Sequence, residues 1–311
     1  MIVQILILLA GLALVVFGAD YLVDGSSSVA RRFGLSEFVI GLTIVGMGTS
    51  APEMVVSFIG AFEGKSDIAL GNVIGSNIFN TLLILGLTAL VLPIAITPLN
   101  RRRDIPVNIA VTVLFLAIGL ITGGISRIGG AVLLAVFAVY IYESFKSGNK
   151  DENSGSDAKP IKLHWAILMI VGGLAALVIG GRLFVDSATK IAQDLGVSDK
   201  FIAITILAGG TSMPELATCV MAAVKKKGQL ALGNIIGSNL FNILLILGGS
   251  ALIHPLSFAA INYVDAGVLV LSSLVLLTSC FIGRKNCVDR FDGAFFVLIW
   301  AGYMAWLVIN L

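Results

Sequence analysis

Two glutamates stand in near-identical hexapeptides, GTSAPE (48–53) and GTSMPE (210–215), each inside a long apolar run. A carboxylate in the middle of a membrane helix costs about 2.5–3.5 kcal/mol on insertion scales. Here that cost is met twice, at Glu53 and Glu215, and no Lys or Arg lies mid-run to neutralise either one. The partner such a pair calls for is a bound cation or a proton. Each hexapeptide also holds a proline, which removes one intrahelical hydrogen bond and crowds the preceding turn. Carbonyls freed in this way need a partner inside a bilayer, and a cation supplies one. The bland alternative, a protonated glutamate bonded across helices, accounts for a single such residue better than for a matched pair.

More oxygen lies at helical spacing around them. Thr49, Ser50 and Glu53 share one helix face, as do Thr211, Ser212 and Glu215. The blocks ALGNVIGSNIFN (69–80) and ALGNIIGSNLFN (231–242) add Asn72, Ser76 and Asn80 at i, i+4 and i+8, with Asn234, Ser238 and Asn242 as counterparts. Carboxylate, hydroxyl, amide and main-chain oxygens suit Ca²⁺, which takes about 6–8 of them. Neither thiolate nor imidazole is among them, which disfavours zinc, copper and iron. Ser and Asn also tie membrane helices together, and for Asn72, Asn77, Asn234 and Asn239 the structural and ligand readings stay open. Gly71, Gly75, Gly233 and Gly237 read as small-residue helix contacts. Two ionised glutamates balance one Ca²⁺, or hold two or three Na⁺ with help from neutral oxygens. A site left with two bare buried carboxylates is costly, which suits obligatory exchange.

The elements that position these residues follow from composition. Of 311 residues, 58% are hydrophobic and 12% charged, and the mean hydropathy is +1.02. Soluble chains carry about 25% charged residues, so the chain reads as an all-α, multi-spanning membrane protein. That excludes a secreted, nucleic-acid-binding or conventional soluble protein, and a net charge of +2 points to no polyanionic partner. Ten apolar stretches are long enough to span a bilayer: 2–23, 36–62, 68–92, 105–122, 128–146, 163–184, 200–224, 229–253, 264–282 and 293–310. The first lacks a basic leader and reads as a retained helix. The polar segment 147–162 is a linker between a first repeat (1–146) and a second (163–311).

The motif blocks align without gaps at a constant offset of 162 residues, Glu53 on Glu215 and Asn80 on Asn242. Five spans per half is an odd number, so the two halves have inverted topology, and helices 2 and 7 are interrupted at the midplane. With the N-terminus outside, fifteen of the 20 Lys and Arg fall in inner connections, and the other five are Lys65, Arg127, Arg182, Lys190 and Lys200. The positive-inside rule then places both termini outside and the linker in the cytoplasm of a cell (inner or plasma) membrane. Arg101–Arg103 and Lys225–Lys227 read as topology signals, Asp24 and Asp186 as capping or loop residues at helix ends, and Asp20 and Arg182 as interfacial. Cys219, Cys280 and Cys287 form no CxxC pair, and His164 and His254 sit at span ends. No hydrolase constellation is therefore available, and no enzyme activity, cofactor or protein partner is expected.

The paired GTSxPE and GNxxGSNxFN blocks resemble the two alpha-repeats of the cation/calcium exchanger superfamily, specifically its prokaryotic sodium/calcium exchanger-like members. The resemblance covers all ten spans. It implies antiport of Ca²⁺ against Na⁺ by alternating access, with spans 1 and 6 sliding across the other eight. It further implies that Glu53 and Glu215 are the shared Ca²⁺/Na⁺ carboxylates. The main-chain carbonyls of Thr49 and Thr211, the hydroxyls of Ser50 and Ser212, and Ser76 and Ser238 would line flanking Na⁺ positions, with Asn80 and Asn242 at the centre. Many such exchangers carry Asp where this chain has Asn242, and potassium-dependent ones carry Asp at both central positions. The cation/proton branch carries Glu where this chain has Gly75 and Gly237. A Ca²⁺/H⁺ antiporter using the same glutamates is the second reading, and a passive cation channel the third.

Overall fold

The first helix, α1 (Ile2–Phe33), runs well past the apolar stretch 2–23 and stops at Gly34, whose φ of 65° and N–H bond to Ala30 O close the C-terminus. Its repeat mate α6 (Leu163–Asp194) likewise outruns 163–184. The reason is packing. A Cβ on Gly11, Gly18 or Gly25 would lie 2.8 Å from the carbonyl oxygen of Gly180, Gly173 or Ala166 respectively. The two helices thus lie antiparallel with backbones in contact at every seventh residue. That contact carries the polar run Ser26–Ser28 through in helical form, and Ile161 N–H donates to Ser28 Oγ at 2.8 Å. Asp20 and Asp24 therefore lie within α1 and Asp186 within α6, not at helix ends as their sequence suggested.

The computed structural model describes all residues except 148–160, 198–201, 203–205, 260, 283, 285 and 311. Most of the linker and the start of span 7 lie outside the described residues. The remaining helices are α2 in two limbs (Glu37–Thr49 and Ala51–Phe62, bent by 50°), α3 (Ser66–Val91), α4 (Asn100–Thr122), α5 (Arg127–Ser147), α7 (Met213–Val224), α8 (Gly228–Ile253), α9 (Tyr263–Ser279) and α10 (Arg290–Ile309). Among the described residues seven helices are long and apolar enough to cross a membrane, the bent pair makes an eighth, and α7 and α9 are shorter apolar helices. The chain is thus an all-helical membrane protein of ten spans in two inverted five-helix repeats.

Four two-residue strands tie the repeats together at both ends. β1 (Ile94–Ala95) pairs antiparallel with β4 (Cys287–Val288), and β2 (Gly124–Ile125) pairs with β3 (Leu256–Ser257). Because α4 joins β1 to β2, the two ribbons mark opposite ends of the bundle. The main core gathers α3, α4, α7, α8 and α9, whereas α1 and α6 form a second cluster with Ile40 and Val45 of α2. α8 is the innermost helix, 94% buried over its most apolar window, and α10 is peripheral at 11%.

Arg101–Arg103 belong to the first, π-helical turn of α4 instead of a loop. The cause is Asp104, fully buried, which accepts from Arg103 Nε at 2.8 Å, Tyr140 OH at 3.0 Å and Asn100 Nδ2 at 3.2 Å. Every lone pair with a partner there is met by a donor, so the group anchors α4 to α5. The glycine expectation holds for Gly233 and Gly237, and the repeat counterparts of the backbone they touch, residues 200 and 204, lie outside the described residues. A Cβ on Gly233 or Gly237 would come within 2.2 or 2.4 Å of Phe38 O or Leu42 O, so α8 touches the backbone of α2. Gly71 and Gly75 meet nothing within 4 Å among the described residues. They instead line a recess of about 90 Å³ beside Asp67, Asp265 and Tyr303.

Candidate cation site

Ser36 caps the first limb of α2 by accepting from Val39 N–H at 3.2 Å. The helix widens into a π-helical turn over Gly41–Val45 and breaks at Ser50 (φ −81°, ψ 9°), and Pro52 restarts it in the first turn of the second limb. The second repeat does the same at Ser212 (φ −90°, ψ 9°) and Pro214. Proline donates no N–H and starts a helix readily, so each hexapeptide makes a break followed at once by a new N-terminus. Glu53 and Glu215 sit in those new first turns, both 1% exposed. A helix N-terminus favours a negative charge.

Each glutamate is held by the serine of the other repeat. Ser50 Oγ donates to Glu215 Oε1 at 2.8 Å, and Ser212 Oγ donates to Glu53 Oε1 at 3.0 Å. Ser76 Oγ lies 3.5 Å from Glu53 Oε1 and 3.4 Å from Ser212 Oγ. Glu53 with Ser212 and Ser76, and Glu215 with Ser50, thus form two groups whose carboxylates are close enough to interact. Thr49 and Ser238 meet through Asn234, whose Oδ1 both hydroxyls reach, at 3.2 and 3.4 Å, and both also face the Glu215 carboxylate, as Thr211 faces that of Glu53. Asn72 Nδ2 donates to Glu53 main-chain O at 3.1 Å and Ser57 Oγ at 2.9 Å. Thr211 lines a cavity described below.

Asn80 and Asn242 occupy the π-helical turns Phe79–Ile84 and Phe241–Leu247. These wider turns end the regular spacing that Asn72–Ser76 and Asn234–Ser238 establish, and four-residue periodicity gives no sign of them. Asn77 and Asn239 set the orientation of the two amides. Asn242 Nδ2 donates to Asn77 Oδ1 at 2.9 Å, and Asn80 Nδ2 donates to Asn239 Oδ1 at 3.2 Å. Asn77 Nδ2 is in turn spent on Asn239 O at 3.1 Å, and Asn239 Nδ2 on Thr81 Oγ1 at 2.8 Å. The sequence left Asn77 and Asn239 undecided. Their bonds are those of residues that orient the amides of Asn80 and Asn242.

With both amide nitrogens committed, four buried acceptors of this site have no hydrogen-bond donor among the described residues: Glu53 Oε2, Glu215 Oε2, Asn80 Oδ1 and Asn242 Oδ1. A native interior satisfies such groups, and four acceptors with no donor match the chemistry of a hard cation. Among the described residues no three His, Cys, Asp or Glu come together as a metal cluster. The candidate is therefore two carboxylates completed by neutral oxygen.

A cavity of about 450 Å³ reaches this region from one side. Its walls come from the second limb of α2 (Ala51, Val55), from α6 (Leu177, Val178, Arg182) and from Thr211. The corresponding contact in the other repeat is closed, since α1 packs directly against α7.

A family model for the sodium/calcium exchanger protein matches residues 3–146 and 165–309. CaxA of Alkalimonas amylolytica is 40% identical over 312 residues, covering 97% of this chain and 98% of its own. The sodium/calcium exchanger MaX1 of Methanosarcina acetivorans is 34% identical over 355 residues, covering 99% and 98%. A solved structure of the sodium-calcium exchanger NCX_Mj, soaked with Na⁺ and Ca²⁺, superposes with a TM-score of 0.86 at 34% identity, over 98% of both chains.

Proposed function

This chain belongs to the sodium/calcium exchanger protein family, and from that premise we propose that it is a secondary antiporter moving Ca²⁺ against Na⁺. The observation that carries the reading is the set of four buried, donorless oxygens on Glu53, Glu215, Asn80 and Asn242. Glu53 and Glu215 supply two negative charges, matching one Ca²⁺. Asn80 and Asn242 add neutral carbonyl oxygen, and Ser50, Ser212, Ser76, Ser238, Thr49 and Thr211 extend the oxygen surface on either side for Na⁺. Replacing Ca²⁺ by Na⁺ keeps the carboxylates compensated through the change of access, whereas an unloaded site carries the full penalty of buried charge. The chain is oriented with both termini outside and the linker in the cytoplasm, because that arrangement alone gathers Arg101–Arg103 and Lys225–Lys227 on the inner side.

The test is ⁴⁵Ca²⁺ uptake into Na⁺-loaded proteoliposomes with an outward Na⁺ gradient and the proton gradient collapsed. Uptake that requires the Na⁺ gradient is the expected result. Uptake indifferent to Na⁺ but driven by an imposed pH gradient would overturn it and make the two glutamates proton carriers. Conductance without countertransport would make the protein a channel.

A further inference from the structure

Lys225, in the turn between α7 and α8, straddles two carboxylates of α1. Its Nζ lies 2.7 Å from Asp20 Oδ1 and 2.8 Å from Asp24 Oδ1, and it also donates to Asp20 O at 3.3 Å. Lys227 stands 3.7 Å from Asp24. Burial lowers the affinity of Lys225 for its proton, but Asp20 and Asp24 more than offset that, so its pKa is raised and it stays charged. This is a small, partly buried network and not an isolated surface pair, the arrangement in which ion pairs contribute measurably.

The 162-residue offset gives each member a mate. Lys225 corresponds to Glu63, and Asp20 to Arg182, so both charges of that pair are reversed together, whereas Asp24 and Lys227 correspond to Asp186 and Lys65 and keep their signs. In this structure the mated pair is not made. Glu63 is bonded to Lys65 at 2.7 Å, and Arg182 is exposed in the wall of the 450 Å³ cavity, with no ion pair among the described residues. The two sites lie at opposite ends of the bundle. The Glu63–Lys65 turn lies beside His254, next to β3, and the Lys225–Lys227 turn leads into Gly228 beside Ile94 of β1. Along the helix pair, Arg182 lies level with about residue 9 of α1, eleven residues or roughly 16 Å from Asp20.

In inverted-repeat transporters the two access states follow from exchanging the conformations of the repeats around a fixed site. Exchange here closes α6 onto the second limb of α2 and opens α1 from α7, so each contact passes to its mate. We infer that two ion pairs of opposite polarity, Lys225 with Asp20 and Asp24 at one end and Glu63 with Arg182 at the other, hold the two access states in turn. The first latches the state seen here, and the second latches the state in which the α2–α6 cavity is shut.

The inference rests on the exchange reading only in requiring two access states, and its test reads access instead of ion identity. A reporter cysteine, Val178→Cys in the cavity wall, is labelled with a water-soluble maleimide in purified protein; the native cysteines are buried. Adding Lys225→Glu should slow labelling by roughly threefold or more, and Lys225→Gln should slow it less. Adding Arg182→Glu to Lys225→Glu breaks both latches and should return the rate toward its starting value. Adding Glu63→Arg as well restores the second pair with its charges exchanged and should slow labelling again. Unchanged labelling in both Lys225 variants, or failure of the last exchange to slow it, would overturn the proposal. A purely structural role for Arg182 predicts no such re-slowing. Loss of Na⁺-driven uptake with this labelling pattern intact would count against the ion assignment and leave the latches standing.

Discussion

Ser50 donates a 2.8 Å hydrogen bond to Glu215 across 165 residues of sequence, and Ser212 returns the same bond to Glu53. Each carboxylate is therefore aimed in part by the opposite repeat, and each half of the site is completed across the repeat interface. A hydrogen bond to a charged group is worth about 1.5–3 kcal/mol. Ser50→Ala and Ser212→Ala should each raise the Na⁺ concentration for half-maximal exchange by roughly tenfold, read from the Na⁺ dependence of ⁴⁵Ca²⁺ uptake.

Glu53→Gln and Glu215→Gln keep the shape of the side chain and remove its charge. Either change should abolish Ca²⁺ uptake while the protein still elutes as a monodisperse species. The wild-type protein should gain thermal stability from Ca²⁺, by about 2.7 kcal/mol at a hundred times Kd, and both variants should lose that gain. Near-normal uptake by either variant would sink the site.

Asn77→Ala leaves Asn242 Nδ2 without its acceptor, so the amide is free to turn its nitrogen toward the carboxylates. The expected outcome is a roughly tenfold weaker apparent Ca²⁺ affinity with little loss of folded protein. The matching change Asn239→Ala, which releases Asn80, should act in the same direction. Calcium titration of purified protein checks both, and affinity unchanged in the pair would show that amide orientation is set elsewhere.

Gly237→Ala places a methyl 2.4 Å from Leu42 O and should prevent accumulation of folded protein, read as loss of the monodisperse species on size exclusion. Normal accumulation would show that α8 and α2 can separate at this contact.

Part of the site was legible in the sequence. Glu53, Glu215 and the proline breaks are visible because their chemistry is costly in an apolar run, and the offset repeats it. The extra turns of α1 and α6 were not, because Gly25-Ser-Ser-Ser looks like a helix end until α6 lies against it. The π-turns at Asn80 and Asn242 and the Asn77–Asn242 bond depend on contacts between segments some 160 residues apart. A two-fold-related sequence does not encode which side of a transporter is closed at a given moment. For the same reason Asp20 and Arg182 looked merely interfacial. Their opposite charges acquire meaning only once one end is seen shut and the other open.

The two short ribbons carry a consequence for biosynthesis. β1 is complete by residue 95, yet its partner β4 begins at Cys287, and β2 waits likewise for Leu256. Through most of translation the first five helices therefore sit in the bilayer with both ribbon edges unpaired and with Ser50 lacking its glutamate. The second half completes an existing assembly instead of adding an independent one, so the first half must remain protected from misassociation until nearly the whole chain has left the ribosome.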